Sequence, residues 1–339
     1  RQREMCVSDR ARSRRGGSGS GSQSKRRIVL AEGEDERVLR ADQAMIEDTV
    51  DTPILVGRPE VIRSRLEKAG LSLKPGRDFE IVNPESDERY RDYWQTYHTQ
   101  MRRRGVTPDL AKAVMRTNTT AIASVMVSRG DADSMICGTF GQYHWHLNYV
   151  RQMLETDELS PTAALSLVIL DDGPLFIADT HINVEQTPET LAATVIAAAR
   201  HVHRFGIEPQ IALCSGSQFG NNDCRSGQVM RAALEILDSK DRGFSYEGEM
   251  HTDAALDPEL REYLLPNNRL AGKANTLIYA TTDAAGAARN LLKSAAGGIE
   301  VGPILMGMGN RVHIVTPGVT PRGLLNIAAL AGSDVSSYG

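Results

Sequence analysis

Glu247, Glu249, His251 and Asp253 form a run of ligating side chains, one at every second position. On an extended strand that spacing sets all of them on one face, an arrangement a divalent cation would take. His144 with His146 and His201 with His203 are spaced so that neither pair shares a helix face, which argues against paired ligation. Gly307 and Gly309 lead into an extended run, whereas a phosphate cradle needs a helix behind its glycines. Ser215, Ser217, Gln218 and Asn221 make a polar loop after an apolar run, and a binding loop and a plain surface loop fit them equally. Cys214 and Cys224 read as small packing residues rather than nucleophiles.

These residues need a scaffold to position them. From Arg26 onward the sequence alternates short apolar or β-branched runs with helical segments: R-I-V-L, P-I-L-V-G, E-I-V, S-M-I-C-G, L-S-L-V-I-L, L-F-I-A-D, I-A-L-C-S, T-L-I-Y-A and V-H-I-V. Such alternation predicts βαβ units and largely parallel sheets flanked by helices. Thr187-Pro188-Glu189 supplies an N-cap, a first-turn proline and an early acid. An apolar stripe at Leu191, Val195, Ala198, Ala199 and Val202 follows and Gly206 stops it, so a helix of about 17 residues is expected. Further helices are expected over about 283–295 and from near Thr320, the latter carrying Leu324, Leu325, Ile327 and Ala328. With 339 residues and this many strands, two sheets are expected rather than one.

Residues 1–25 join an Arg-rich patch to a Gly/Ser run and are read as a flexible linker or appended segment; without interleaved aromatics they do not read as an RNA-binding arm. Against 43 acidic residues stand 39 basic ones, a net charge of −4, so no global basic field points to nucleic acid or an anionic membrane. No apolar run reaches the length of a membrane span. Cys6, Cys137, Cys214 and Cys224 are widely spaced and form no C-x-x-C, which suits a reducing cytoplasm.

Motifs spread over roughly residues 26–332 resemble those of the phosphate acetyl/butyryltransferase family. They are R-I-V-L-A-E-G-E-D-E-R-V-L-R-A, G-D-A-D-S-M-I-C-G, F-I-A-D-T-H-I-N-V-E-Q-T-P-E-T-L-A and the run from Gly302 to Asn326. G-R-P-E-V-I, M-R-R-R-G-V-T, M-I-C-G-T-F-G-Q-Y-H, F-G-N-N-D-C and G-E-M-H-T-D-A-A-L are most similar to the phosphotransacetylase-like domain at the C-terminus of NADP-dependent malic enzymes. The resemblance implies an isocitrate dehydrogenase-like phosphotransacetylase fold of two subdomains with an interdomain cleft, forming a homodimer. One subdomain would comprise 26–159 plus 304–332 and the other 160–303. Family members carry glutamine at the place of His251, so no metal is expected at the Glu247 to Asp253 face.

In that family a serine, the arginine after it and a later aspartate serve acetyl transfer, and an arginine in a Leu-Arg-Pro motif holds phosphate. The matching places here are Thr316, Pro317, Gly323 and Asn148. Losing a general base costs about 10²–10⁴ in rate and losing a charge-stabilising donor about 10²–10³. No catalytic residue is therefore assigned. A site that has lost chemistry can keep its ligand, because binding and transition-state stabilisation rest on different contacts. The resemblance implies a regulatory domain that binds acetyl-coenzyme A as an allosteric inhibitor. Its expected contacts are the Gly138-Thr139 turn, Asn148, Thr316, and Arg102 or Lys293 for phosphate. No G-x-G-x-x-G opens a helix after a strand, so NADP and a divalent metal are expected only in a malic-enzyme dehydrogenase domain of the same polypeptide, absent from this chain. The alternatives are an active phosphate acetyltransferase with displaced catalytic residues and a purely structural dimerisation domain.

Overall fold

All nine apolar runs become strands in the computed structural model, which describes residues 26–48, 52–155, 161–309 and 311–331. The expected linker over 1–25 lies outside the described residues, as does Cys6. The chain divides into two units, residues 160–307 and the stretches on either side of them.

The flanking unit starts with β1 (Arg27–Leu30), β2 (Thr52–Val56), β3 (Glu80–Val82) and β4 (Ser134–Cys137). The inserted unit carries β5 (Ala163–Leu170), β6 (Gly173–Ala178), β7 (Gln210–Cys214), β8 (Ser245–Met250), β9 (Thr276–Tyr279) and β10 (Ile299–Met306). The chain then returns to the first sheet as β11 (Val312–Ile314).

The first sheet has the order β11-β4-β1-β2-β3, with every pairing parallel. All four residues of β4 are buried, as are Ile28, Val29 and Leu30 of β1. Burial on both faces explains why these runs show no polar alternation. From β1 the chain builds outward through β2 to β3, then crosses to the other side of β1 for β4. The loops leaving β1 and β4 therefore diverge at the carboxyl ends of adjacent strands, the place where open α/β sheets hold ligands.

The second sheet, β10-β5-β6-β9-β7-β8, is only partly parallel, since β5 runs antiparallel to both β6 and β10. The reason is local: β5 and β6 are joined by a two-residue turn, Asp171–Asp172, which permits only antiparallel pairing. Thr187 caps the helix Pro188–Arg204 as its sequence predicts, with Thr190 returning the bond in a capping box.

Asp42, on the helix Glu36–Asp48, is fully buried, and neither carboxyl oxygen has a hydrogen-bond partner. Burial, and then the charge of Asp78, push its pKa well above the usual range. A raised carboxyl pKa adds stability below the unfolded value of about 3.9 and loses it as pH climbs toward the folded value. Asp42→Asn should therefore match the parent near pH 4 and exceed it at pH 8 by about 1–3 kcal/mol. Melting temperatures of both proteins across that range check this, and a difference independent of pH would refute it.

Candidate functional site: a pocket at the carboxyl ends of the first sheet

The loop after β1, Ala31 to Asp35, meets the loop after β4 through one carboxylate. Glu32 is buried, and its Oε2 accepts the backbone N–H of Gly138 at 3.0 Å and of Thr139 at 3.3 Å. Gly138 has φ +104°, and a Cβ there would lie 2.3 Å from the Val315 carbonyl oxygen, so only glycine lets β4 end so close to β11. Burial drives the Glu32 pKa up to about 7; the two amides oppose this and Asp35 adds to it. Because Oε2 takes both amides, the proton of the neutral form belongs on Oε1, which has no hydrogen-bond partner. The Thr139 hydroxyl is likewise buried, beside the Glu32 and Asp35 carboxyl groups.

His146, on the helix Tyr143–Leu154, closes the rear of this corner. Its Nε2 lies 2.6 Å from the Phe140 carbonyl, which can only accept, so the ring carries its proton there. Nδ1 then accepts from the Thr120 hydroxyl at 2.7 Å and lies 4.0 Å from Glu32 Oε1. Burial lowers the His146 pKa, with the Phe140 bond opposing, and the ring is neutral. His144 is exposed on the same helix, so the two histidines converge on nothing.

Arg37 ties three loops together. Its Nη2 donates to Asp35 Oδ2 and to the Thr139 carbonyl, each at 2.7 Å, and its Nη1 donates to the carbonyls of Pro317 at 2.5 Å and Val319 at 3.3 Å. Burial works against the Asp35 carboxylate, but Arg37 prevails and holds its pKa below the ordinary value.

In front of this floor opens a pocket of about 510 Å³, within the usual ligand-site range. Glu32, Asp35 and Thr139 lie at its base, Phe140 and Trp145 form a wall, and Arg58, Arg65 and Arg116 stand at its rim with Glu34 and Glu85. The helices Pro59–Ala69 and Thr119–Arg129 begin beside it, adding the partial positive charge of their N-termini.

Of the residues singled out from sequence, Thr139 lines this pocket and Gly138 supports its base. Thr316 is half-buried in the loop after β11 that Arg37 fastens beside Thr139. Asn148 is exposed on the helix Tyr143–Leu154, and Arg102 is exposed in the short turn Arg102–Arg104; neither belongs to the lining. Lys293 belongs to the other unit, where it pairs with Glu300 at 2.9 Å.

Glu32, Asp35, Arg37, Arg58, Arg65 and Arg116 went unassigned in the sequence. The usable signal was an acid-rich loop placed directly after the first strand.

The acidic run of the other unit divides differently from its strand pattern. β8 ends at Met250, so only Glu247 and Glu249 share its alternation, while His251 caps the helix Thr252–Leu256. Glu247 binds Arg269 at 3.1 Å and Glu249 binds Arg231 at 2.7 Å. Glu249 also takes the Ser217 hydroxyl and the Gly220 amide, fixing the polar loop after β7 from within. Cys214 is buried as a packing residue, but Cys224 is a half-buried N-cap of the helix Arg225–Asp238, its pKa lowered first by Ser226.

Comparison with known proteins bears on this architecture. The family model for phosphate acetyl/butaryl transferase matches residues 18–332. The chain is 45% identical over 308 residues to the NADP-dependent malic enzyme of Escherichia coli, covering 90% of this chain and 41% of that protein. It is 43% identical over 309 residues to the NAD-dependent malic enzyme of Rhizobium meliloti, covering 91% of this chain and 40% of that protein. The chain thus spans about two fifths of the length of these relatives. Among solved structures, a phosphotransacetylase from Streptococcus pyogenes superposes with a TM-score of 0.82 at 25% identity, covering 91% of this chain and 93% of that one.

Proposed function

Since the chain belongs to the phosphate acetyl/butaryl transferase family, we propose that it is a non-catalytic regulatory module of a longer malic enzyme, binding acetyl-coenzyme A as inhibitor and pairing as a homodimer. NADP and a divalent metal are then the business of a dehydrogenase domain outside this chain, and the whole works in the cytoplasm. Identity to malic enzymes across nine tenths of the chain supports the first part.

The observation that carries the loss of chemistry is the loop after β11. Where the family signature has an arginine, Pro317 stands exposed, its carbonyl fixed by Arg37. Where it has the base, Gly323 carries no side chain, and a Cβ there would meet Val319 Cγ2 at 3.1 Å. A carboxylate at that place would need the Val319 side chain to give by a few tenths of an ångström. Arg37, which reaches this loop from the helix Glu36–Asp48, is already committed to Asp35 and three carbonyls. Inhibition at a distance requires acetyl-coenzyme A to prefer one of two states of the full enzyme.

Two measurements test this together: acetyl-coenzyme A formation from acetyl phosphate and coenzyme A, and calorimetric titration with acetyl-coenzyme A. Binding without turnover is expected. Turnover within about 10²-fold of a working transferase would overturn the non-catalytic reading. No binding at millimolar ligand would leave a structural dimerisation domain, whose assembly sedimentation would report.

A further inference from the structure

We propose that the pocket at the carboxyl ends of β1 to β4 is a purine-nucleotide site, with the base inward against Glu32 and Thr139 and the phosphate outward at Arg58, Arg65 and Arg116. The proposal goes beyond acetyl-coenzyme A binding, because it concerns a nucleotide from either of two sources: free, or as the nucleotide end of that ligand.

The floor decides what enters first. Glu32 Oε1 is a buried polar atom without a hydrogen-bond partner, and leaving such a group unmet costs about 1–3 kcal/mol; the buried Thr139 hydroxyl stands beside it and Asp35. A ligand group that both donates and accepts, such as a purine edge, meets them. An anion is the poorer match, because its oxygens only accept and the Asp35 carboxylate lies beside Glu32 at the base of the pocket. The anionic end must therefore lie at the mouth.

The wall favours a planar body. Phe140 and Trp145 are 53% and 40% exposed, large apolar surface to leave in water, and their ring centroids lie 6.3 Å apart. A base seated between floor and mouth covers part of both rings.

The rim supplies the cations. Arg58 uses Nε and Nη2 on Glu34, leaving its Nη1 uncommitted. Arg65 is engaged through Nη1 by the Glu34 carbonyl, and Arg116 through Nη1 by the Pro84 and Glu85 carbonyls. The remaining N–H groups of each guanidinium suit phosphate oxygens, which arginine binds in pairs. A dicarboxylate would use the same rim but would leave the floor unmet and the aromatic wall bare.

The test uses adenosine 5′-monophosphate and the fluorescence of Trp145. The chain has two tryptophans, so Trp94→Phe leaves Trp145 as the sole indole. Saturable change in its emission on adding the nucleotide is expected. Thr139→Val, which keeps volume and removes the hydroxyl, should weaken binding about tenfold, as should Arg65→Ala at an exposed position. Ribose 5-phosphate should bind more weakly than the nucleotide. No response at millimolar nucleotide, or affinity indifferent to both substitutions, overturns the proposal, and so does ribose 5-phosphate binding as tightly. Competition between the nucleotide and acetyl-coenzyme A identifies the nucleotide end of that ligand as the source, and additive binding identifies a free nucleotide. Acetyl-coenzyme A can fail to bind in calorimetry while the nucleotide still binds, so the two readings fail separately.

Discussion

Replacing Arg261 by methionine should destabilise the 160–307 unit by about 3–5 kcal/mol, although methionine fills much of the same space. Arg261 is 1% exposed, on the helix Pro258–Leu264. Its nearest partners are not carboxylates. Nε donates to Asn268 Oδ1 at 2.8 Å, Nη1 to the carbonyls of Ala254 and Ala255 at 3.1 and 3.2 Å, and Nη2 to those of Leu270 and Gly272 at 3.4 and 2.5 Å. Burial lowers its pKa, offset by the charges of Glu247, Glu262 and Asp257. Exchanging a buried ion pair for apolar residues can be harmless, because both charges leave together. Here methionine removes every donor and strands the acceptors, so the cost is that of unmet buried carbonyls. Arg261→Lys should recover only part of the loss, since an ammonium cannot reach all of the acceptors that the planar fork serves. Urea unfolding of the three proteins measures this, and a methionine variant within 1 kcal/mol of the parent would refute it.

How far such features are legible in the sequence depends on whether their cause is local. The cap at Thr187 needs only its own next few residues, and it forms as read. Strands buried on both faces announce themselves as unbroken apolar runs. β10 does not, because Gly302 and Pro303 interrupt it where its register against β5 shifts, between Val301 and Ile304. β8 is hidden differently: its Glu247 and Glu249 are buried, which is possible only because Arg269 and Arg231 reach them from other parts of the chain. The candidate site divides along the same line. The Gly138-Thr139 turn was visible as a glycine ending a strand. Glu32 was not, since its role exists only once β1 and β4 are neighbours, and its bond to Gly138 spans 106 residues of sequence. Arg37 reaches 280 residues along the chain to Pro317. No local pattern encodes contacts of that range.

Gly138 is where that long-range geometry has least tolerance, and Gly138→Ala should cost roughly 2–6 kcal/mol. The figure combines strain at positive φ, about 1–3 kcal/mol, with relief of a close contact, again about 1–3 kcal/mol. The contact is with backbone: the new Cβ would lie 2.3 Å from the Val315 oxygen and 3.1 Å from its carbon and nitrogen. Side chains can turn aside, but Val315 is held by its own N–H bond to the Cys137 carbonyl at 2.7 Å, so β11 must move away from β4. Gly130→Ala separates the two costs, because Gly130 has φ +78° with nothing within 4 Å of its Cβ position. It should lose only the strain, about 1–3 kcal/mol. Gly138→Ala should in addition weaken nucleotide and acetyl-coenzyme A binding, since the shift displaces Thr139 and the Thr316 loop together, while Gly130→Ala should leave both unchanged. Equal stability losses in the two variants would mean that β11 yields freely. The tight approach of Gly138 to Val315 would then have no part in building the pocket.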